Sequence, residues 1–195
     1  MMAEKYQGKY RIASARRPGW DYGTNAAYFV TICTKNRRAF FGDITAGEMA
    51  LSDIGQWADR YWRAIPTHFP FVRLGAFVVM PNHVHGIVVI DKPETPESRS
   101  PIPVETPDSG VSTGMGGGGD DNDNTNKSRT AAASKKWKPG TLGVIINQYK
   151  RAVTIAARKI DPKFGWQARF HDHIIRNGAS FDRISQYIHN NPQNW

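Results

Sequence analysis

Residues 80–90 read Met-Pro-Asn-His-Val-His-Gly-Ile-Val-Val-Ile. Pro81-Asn82 is a turn signal, and the β-branched run behind it reads as a strand. Side chains alternate across a strand with a period of two, so His83 and His85 project from one face. Two imidazoles on one face of an apolar strand are a candidate metal-ligand pair, although an isolated His-x-His is more often incidental. Gly86 allows another backbone to come close.

The apolar run 71–80 lies just before this strand. Two residues suffice only for a tight reversal, so the two runs form a hairpin. Working outward, residues 28–34 alternate and are β-branched, which predicts another strand. A basic turn, Lys35-Asn36-Arg37-Arg38, and an edge segment at 39–43 follow. Residues 51–65 carry Leu51, Ile54, Trp57, Ala58, Tyr61, Trp62 and Ile65 on one helical stripe, with Ser52 as the cap and Pro66 as the stop. A second stripe, Leu142, Ile145, Ile146, Tyr149, Ala152, Val153 and Ala156, predicts a helix ending near Ile160. Residues 164–175 read as a fourth strand. Residues 181–189 read as a third helix, with Ser180 as its cap.

The order is βαββαβ followed by one more helix. It predicts an α+β, ferredoxin-like fold: a four-stranded antiparallel sheet, helices on one face, and the C-terminal helix as an appendage. Residues 1–25 read as a basic N-terminal arm, and 26–195 as a single domain interrupted by a disordered insertion at about 92–138. That insertion is dominated by Pro, Ser, Thr, Gly and acidic residues, with little to bury. Its four consecutive glycines follow no strand and precede no Gly-Lys-Ser/Thr, which argues against a phosphate loop.

The 195 residues carry a net charge of +9. Residues 91–138 hold seven basic and eight acidic side chains, so the remainder stands at +10. A domain this basic suits a polyanionic partner, nucleic acid above all. Arg16, Arg17, Lys35, Arg37, Arg38, Lys150 and Arg151 are the candidate DNA-binding side chains. The tyrosines and arginines of residues 6–22 are able to stack on bases or to remain a solvated tail. No apolar run approaches membrane-spanning length, and the N-terminal residues lack an apolar signal core, so a cytoplasmic protein with no membrane partner is expected. The single cysteine, Cys33, excludes an internal disulfide and reads as a small buried hydrophobe.

The motifs Tyr28-Phe29-Val30-Thr31-Ile32-Cys33-Thr34, Met80-Pro81-Asn82-His83-Val84-His85-Gly86, Trp166-Gln167-Ala168-Arg169-Phe170 and Tyr187-Ile188-His189-Asn190-Asn191-Pro192 occur together. In this combination the chain resembles the single-tyrosine HUH transposases, in particular the REP-associated tyrosine transposase branch. The likeness covers about residues 25–90 and 140–195. It implies a metal-dependent transposase that binds single-stranded or hairpin DNA. It implies a divalent ion, Mg or Mn, held by His83, His85 and a polar side chain from the helix that carries the tyrosine. It also implies a tyrosine that attacks a phosphodiester, leaving a 5′-phosphotyrosine and a free 3′-hydroxyl. Monomer and homodimer are both compatible with it.

On this resemblance the nucleophile is expected on the second helix, where Val153 stands instead of a tyrosine. Tyr149, one turn earlier, is the candidate substitute, set against a purely packing role. Asn147, Gln148 and Thr154 are the candidate third ligands. Tyr187 is a second candidate nucleophile whose helix reads as packing. If Tyr149 is inert, the chain is a catalytically degenerate hairpin-binding protein. The pair His171 and His173 rivals His83 and His85 as a ligand set. His68 and His189 have no ligand-like partners in sequence. An RNA-binding ferredoxin-like module fits the charge but not the histidine pair.

Overall fold

The computed structural model describes the backbone of Lys5–Tyr6 and Lys9–Tyr10, and all of residues 17–93 and 138–195. Arg16 and nearly all of the insertion expected at 92–138 lie outside the described residues. The first two segments, β1 (Lys5–Tyr6) and β2 (Lys9–Tyr10), pair antiparallel with each other.

Four strands build the main sheet: β3 (Ala26–Cys33), β6 (Val72–Met80), β7 (His83–Ile90) and β8 (His171–Ile175). Their order is β6-β7-β3-β8, with every neighbouring pair antiparallel. β3 and β6 flank β7 and therefore run parallel to each other. Helix α1 (Asp53–Arg63) connects them. β7 and β8 flank β3 in the same way and are connected through α3 (Leu142–Ala157). This is the split βαβ arrangement expected from the element order. Right-handed crossovers put α1 and α3 on the same face of the sheet.

Strand β7 shows how the faces are assigned. Val84, Val88 and Ile90 belong to the main core with Tyr28, Val30 and Ile32 of β3 and the buried stripes of α1 and α3. Gly86 shares their parity. A Cβ there would stand 2.2 Å from Cζ2 of Trp62, so glycine is what lets the fully buried indole lie on the sheet. The opposite parity carries His83, His85, Ile87 and Val89. Its apolar members join Phe29, Ile175 and Ile188 in a second, smaller core.

That second core is covered by α4 (Gly178–Asn190) through Phe181, Ile184 and Ile188. The C-terminal helix is thus no appendage: it forms the third layer, on the histidine side. Its cap also differs from expectation. Asn177 is the N-cap, and its side chain accepts from the Ser180 N–H. Ser52 does cap α1, accepting from the Gly55 N–H.

Two further differences are local. A hairpin, β4 (Gly42–Thr45) with β5 (Glu48–Leu51), overlaps the edge segment expected at 39–43 only at residues 42 and 43 and fills the stretch before α1. Its two turn residues, Ala46 and Gly47, have φ of 53° and 78°, the geometry of a tight primed turn. A four-residue helix, α2 (Ile65–His68), follows α1. The strand expected over 164–175 contracts to His171–Ile175, because residues 164–170 make only one bridge, Thr34 with Trp166, before Arg169 turns the chain at φ 68°. Tyr22, inside the segment read as an arm, is buried in the main core and stacks on Tyr28 at 5.7 Å.

Candidate functional site

The register of β3 against β7 sets Cys33 opposite His83 and Thr31 opposite His85. The two imidazoles stand side by side, with ring centroids 4.4 Å apart and planes at 74°. Phe29 stacks on His85 at 5.3 Å. Each ring is oriented through Nδ1. His83 Nδ1 donates to Asn82 Oδ1 at 2.8 Å, and His85 Nδ1 lies 2.9 Å from Thr31 Oγ1. A carbonyl oxygen takes the proton of His83 Nδ1, which leaves Nε2 with its lone pair. Both nitrogens of the His85 ring face hydroxyls, Thr31 Oγ1 at Nδ1 and Tyr187 Oη at Nε2, which can donate or accept.

Burial keeps both rings neutral. The His83 pKa is pushed down to about 4, first by burial and then by the Arg37 charge. That of His85 is pushed down to about 3, by burial first and by His83 and His171 next. A neutral imidazole oriented through Nδ1 is the form that binds metals.

The helix on this face supplies a tyrosine. Tyr187 Oη lies 3.4 Å from His85 Nε2, and the Tyr187 ring meets both His85 and Phe29 edge-on, at 5.5 and 6.1 Å. Tyr187 is half exposed, at 50%. Trp195 lies against His83, ring to ring at 5.7 Å.

The expectation that Tyr149 would approach the histidines fails. Tyr149 is on α3, across the sheet, 3% exposed and in edge-on contact with Trp62 at 5.1 Å. Its hydroxyl donates to the Ala58 carbonyl at 3.2 Å. Burial, with help from the Asp59 carboxylate, raises its pKa well above that of an ordinary tyrosine. Val153 is fully buried in the same core, and Asn147, Gln148 and Thr154 are on the same helix. The sheet separates all of them from the histidine face. The sequence did carry the discriminating signal. Val84, Gly86, Val88 and Ile90 form the more apolar parity of β7, so the two crossover helices belong there. The histidine parity is left to the C-terminal helix and its Tyr187.

The second histidine pair joins the first on one face. His171 lies opposite Thr31, and His173 opposite Phe29, both exposed. Strand β3 separates them from His83 and His85. Among the described residues no group of three His, Cys, Asp or Glu side chains is placed to hold a metal ion. Two imidazole nitrogens therefore fit a divalent ion only if amide, hydroxyl, water or phosphate oxygens complete the shell. Nitrogen donors suit Mn better than Mg, which prefers oxygen.

Of the expected DNA-binding residues, Arg17, Lys35, Arg37, Arg38 and Arg151 are exposed. Lys150 is not: its ammonium donates to the carbonyls of Gln167 and Arg169, at 2.9 and 3.0 Å, and burial lowers its pKa. It fastens a loop. Cys33 is half buried, and burial raises the pKa of its thiol despite the pull of Arg37 and Lys150. No helix among the described residues is long and apolar enough to cross a membrane.

No protein-family model matches the chain. In solved structures it is similar to a REP-associated tyrosine transposase bound to a REP hairpin, at 18% identity and a TM-score of 0.49, over 94% of this chain and 74% of that one. It is also similar to a candidate transposase from Deinococcus radiodurans R1, at 14% identity and a TM-score of 0.42, over 90% of this chain and 95% of that one. In sequence it is 34% identical over 199 residues to an uncharacterized protein of Haemophilus influenzae, an alignment that spans 100% of this chain and 96% of its relative. The chain belongs to the same family as that Haemophilus influenzae protein.

Proposed function

We propose that this chain is a DNA transposase of the HUH single-tyrosine type, cleaving and rejoining single strands next to hairpin or palindromic DNA. Tyr187 is its nucleophile, and His83 and His85 hold a divalent ion. The observation that carries the reading is the position of a half-exposed phenol 3.4 Å from an imidazole nitrogen of the His-x-His pair. The four sequence motifs and a charge of +10 outside residues 91–138 support DNA as the substrate.

Tyr187 Oη attacks the phosphorus of the scissile phosphodiester. The new P–O bond to tyrosine forms as the P–O3′ bond breaks. The phenolic proton passes to solvent, which reaches the half-exposed side chain, and the departing 3′-oxygen takes a proton from solvent. The products are a 5′-phosphotyrosine and a free 3′-hydroxyl. The reverse attack by a 3′-hydroxyl rejoins the strand without ATP, since the bond is conserved. The neutral imidazoles of His83 and His85 would hold the ion through a ring nitrogen each. Asn191, one helical turn beyond Tyr187, is the polar side chain of the tyrosine helix best placed by spacing to complete the set. Bound there, a divalent ion, Mn or Mg, would supply Lewis-acid stabilisation of charge on the phosphate oxygens. Phe29 stacks on the His85 ring and Thr31 meets its Nδ1, which fixes the ring's orientation.

The test is covalent trapping. The full chain is incubated with a labelled hairpin bearing a single-stranded flank and Mn, then denatured. A protein–DNA adduct that disappears in Tyr187→Phe and persists in Tyr149→Phe is expected. DNA binding with no adduct in any divalent metal overturns the transposase chemistry and leaves a hairpin-binding protein.

A further inference from the structure

The sheet carries a third imidazole level with the first two. Thr31 of β3 lies opposite His85 on one side and opposite His171 on the other, so the three side chains form a row across one face. Phe29 makes the next row, between Ile87 and His173. His171 is therefore in the row of the ring that meets Tyr187, whereas His173 is one row removed, about 7 Å along the strand. The charge of His171 reaches His85, where it opposes protonation of that ring.

The two ends of the row differ. His85 is buried, under Tyr187 and beside Phe29. Helix α4 packs chiefly on β6 and β7, and His171 at the β8 end is exposed. A cleft of about 350 Å³ opens there, with His171 and Thr31 among its walls. The titratable and charged groups that share the cleft with His171 are Cys33 of β3, Arg37 of the turn after it and Arg169 of the loop before β8, with His85 beyond Thr31.

Displacement at phosphorus runs in line, with the attacking and departing oxygens on opposite sides of the phosphorus. Tyr187 Oη comes in at the His85 end of the row, 3.4 Å from Nε2. The 3′-oxygen then departs toward the other end, where His171 stands. An alkoxide needs a proton as its bond breaks, and imidazole is the side chain that gives and takes one near neutral pH.

We infer that His171 is the general acid of strand cleavage and the general base of rejoining. As the P–O3′ bond breaks, the His171 imidazolium gives its proton to the 3′-oxygen and is left neutral, while the phenolic proton of Tyr187 goes to solvent. In rejoining, the neutral ring takes the proton of the attacking 3′-hydroxyl. The P–O bond to tyrosine breaks, and the phenolate regains a proton from solvent. Solvent remains the source of the proton, and His171 relays it. The inference rests on the strand-cleavage chemistry proposed above.

The test changes the leaving atom. The cut position is mapped from the adduct of the original chain on a labelled hairpin with a single-stranded flank. A second hairpin then carries sulfur in place of the 3′-oxygen at that position. A thiolate departs without being protonated, so the sulfur substrate needs no acid. Adduct formation in Mn is timed with the original chain, His171→Ala, His173→Ala and Tyr187→Phe. His171→Ala is expected to slow the oxygen substrate by about 100-fold and the sulfur substrate by no more than about threefold. His173→Ala is expected to leave both rates unchanged, and Tyr187→Phe to abolish both adducts. The sulfur substrate also reports folding, because a misfolded variant is slow on either hairpin. Equal slowing of His171→Ala on both substrates assigns the ring to holding the phosphate, the ion or the fold. A Tyr187-dependent adduct indifferent to His171 leaves the proton to solvent. Each of these two results removes this inference alone. Sulfur rescue of His171→Ala together with an adduct that survives Tyr187→Phe keeps His171 and removes that nucleophile. No adduct from the original chain overturns both.

Discussion

Tyr187 Oη and His85 Nε2 lie 3.4 Å apart, though 102 residues separate them in the chain. Two properties make the relationship chemically useful. The imidazole is buried and neutral, and the phenol is half exposed. A nucleophile has to reach a polymer lying outside the protein, whereas metal ligands gain from being fixed and shielded.

Replacing either tyrosine by phenylalanine gives opposite outcomes. Tyr187→Phe is expected to reduce adduct formation to background with little change in stability, because the hydroxyl is at the surface. Tyr149→Phe leaves a buried Ala58 carbonyl without its side-chain donor. It is expected to destabilise the fold by about 1 kcal/mol and to leave adduct formation intact. Denaturant melts and the trapping assay read the two effects separately. Loss of adduct in Tyr149→Phe at full folding would return the nucleophile to α3.

The histidine pair dictates how stability varies with pH. In the unfolded chain both rings titrate near pH 6.5, whereas in the fold they titrate near 4 and 3. Below pH 6.5 the unfolded state takes up protons that the folded state refuses, so stability falls as pH drops from about 6.5 toward 4. Above pH 7 this pair adds no slope. Metal-free melting temperatures of His83→Ala/His85→Ala are expected to fall less steeply over that window than those of the original chain. Identical slopes would mean that the rings take up protons in the fold as readily as in the unfolded chain.

Trp195 provides a spectroscopic report of ion binding. Its ring is 5.7 Å from that of His83, close enough for a paramagnetic ion held at the pair to quench its emission. Titration with Mn or Co is expected to dim part of the fluorescence of the six tryptophans. Trp195→Phe and His83→Ala/His85→Ala should each abolish the response. Quenching that survives loss of both histidines would place the ion elsewhere.

Gly86 is fixed by packing rather than by chemistry. A methyl group there collides with Cζ2 of Trp62, a ring that is fully buried and stacked on Phe77. Gly86→Ala is expected to cost about 1–3 kcal/mol, lowering the melting temperature by roughly 2–4 °C per kcal/mol. An unchanged melting temperature would show that the indole has somewhere else to go.

The sequence by itself determined much of this protein. Periods of two and 3.6 residues located the four strands of the sheet and its three long helices, because alternation and stripes are local consequences of backbone geometry. Pro81-Asn82 set the hairpin, and the hairpin set the common face of His83 and His85. The more apolar parity of β7 points the crossover helices away from that face, but only tertiary structure seats a particular helix on it. The stripe of α3 and the stripe of α4 each announce an apolar side, and neither says which side of the sheet it will meet. Sequence alone favours Tyr149 over Tyr187, whose helix reads as packing; the register of β3 on β7 and the crossover of α3 reverse that order by putting the two on opposite faces. Lys150 taught the same lesson. Its charge was legible, but its burial against the carbonyls of Gln167 and Arg169 depended on a loop that no local pattern encodes.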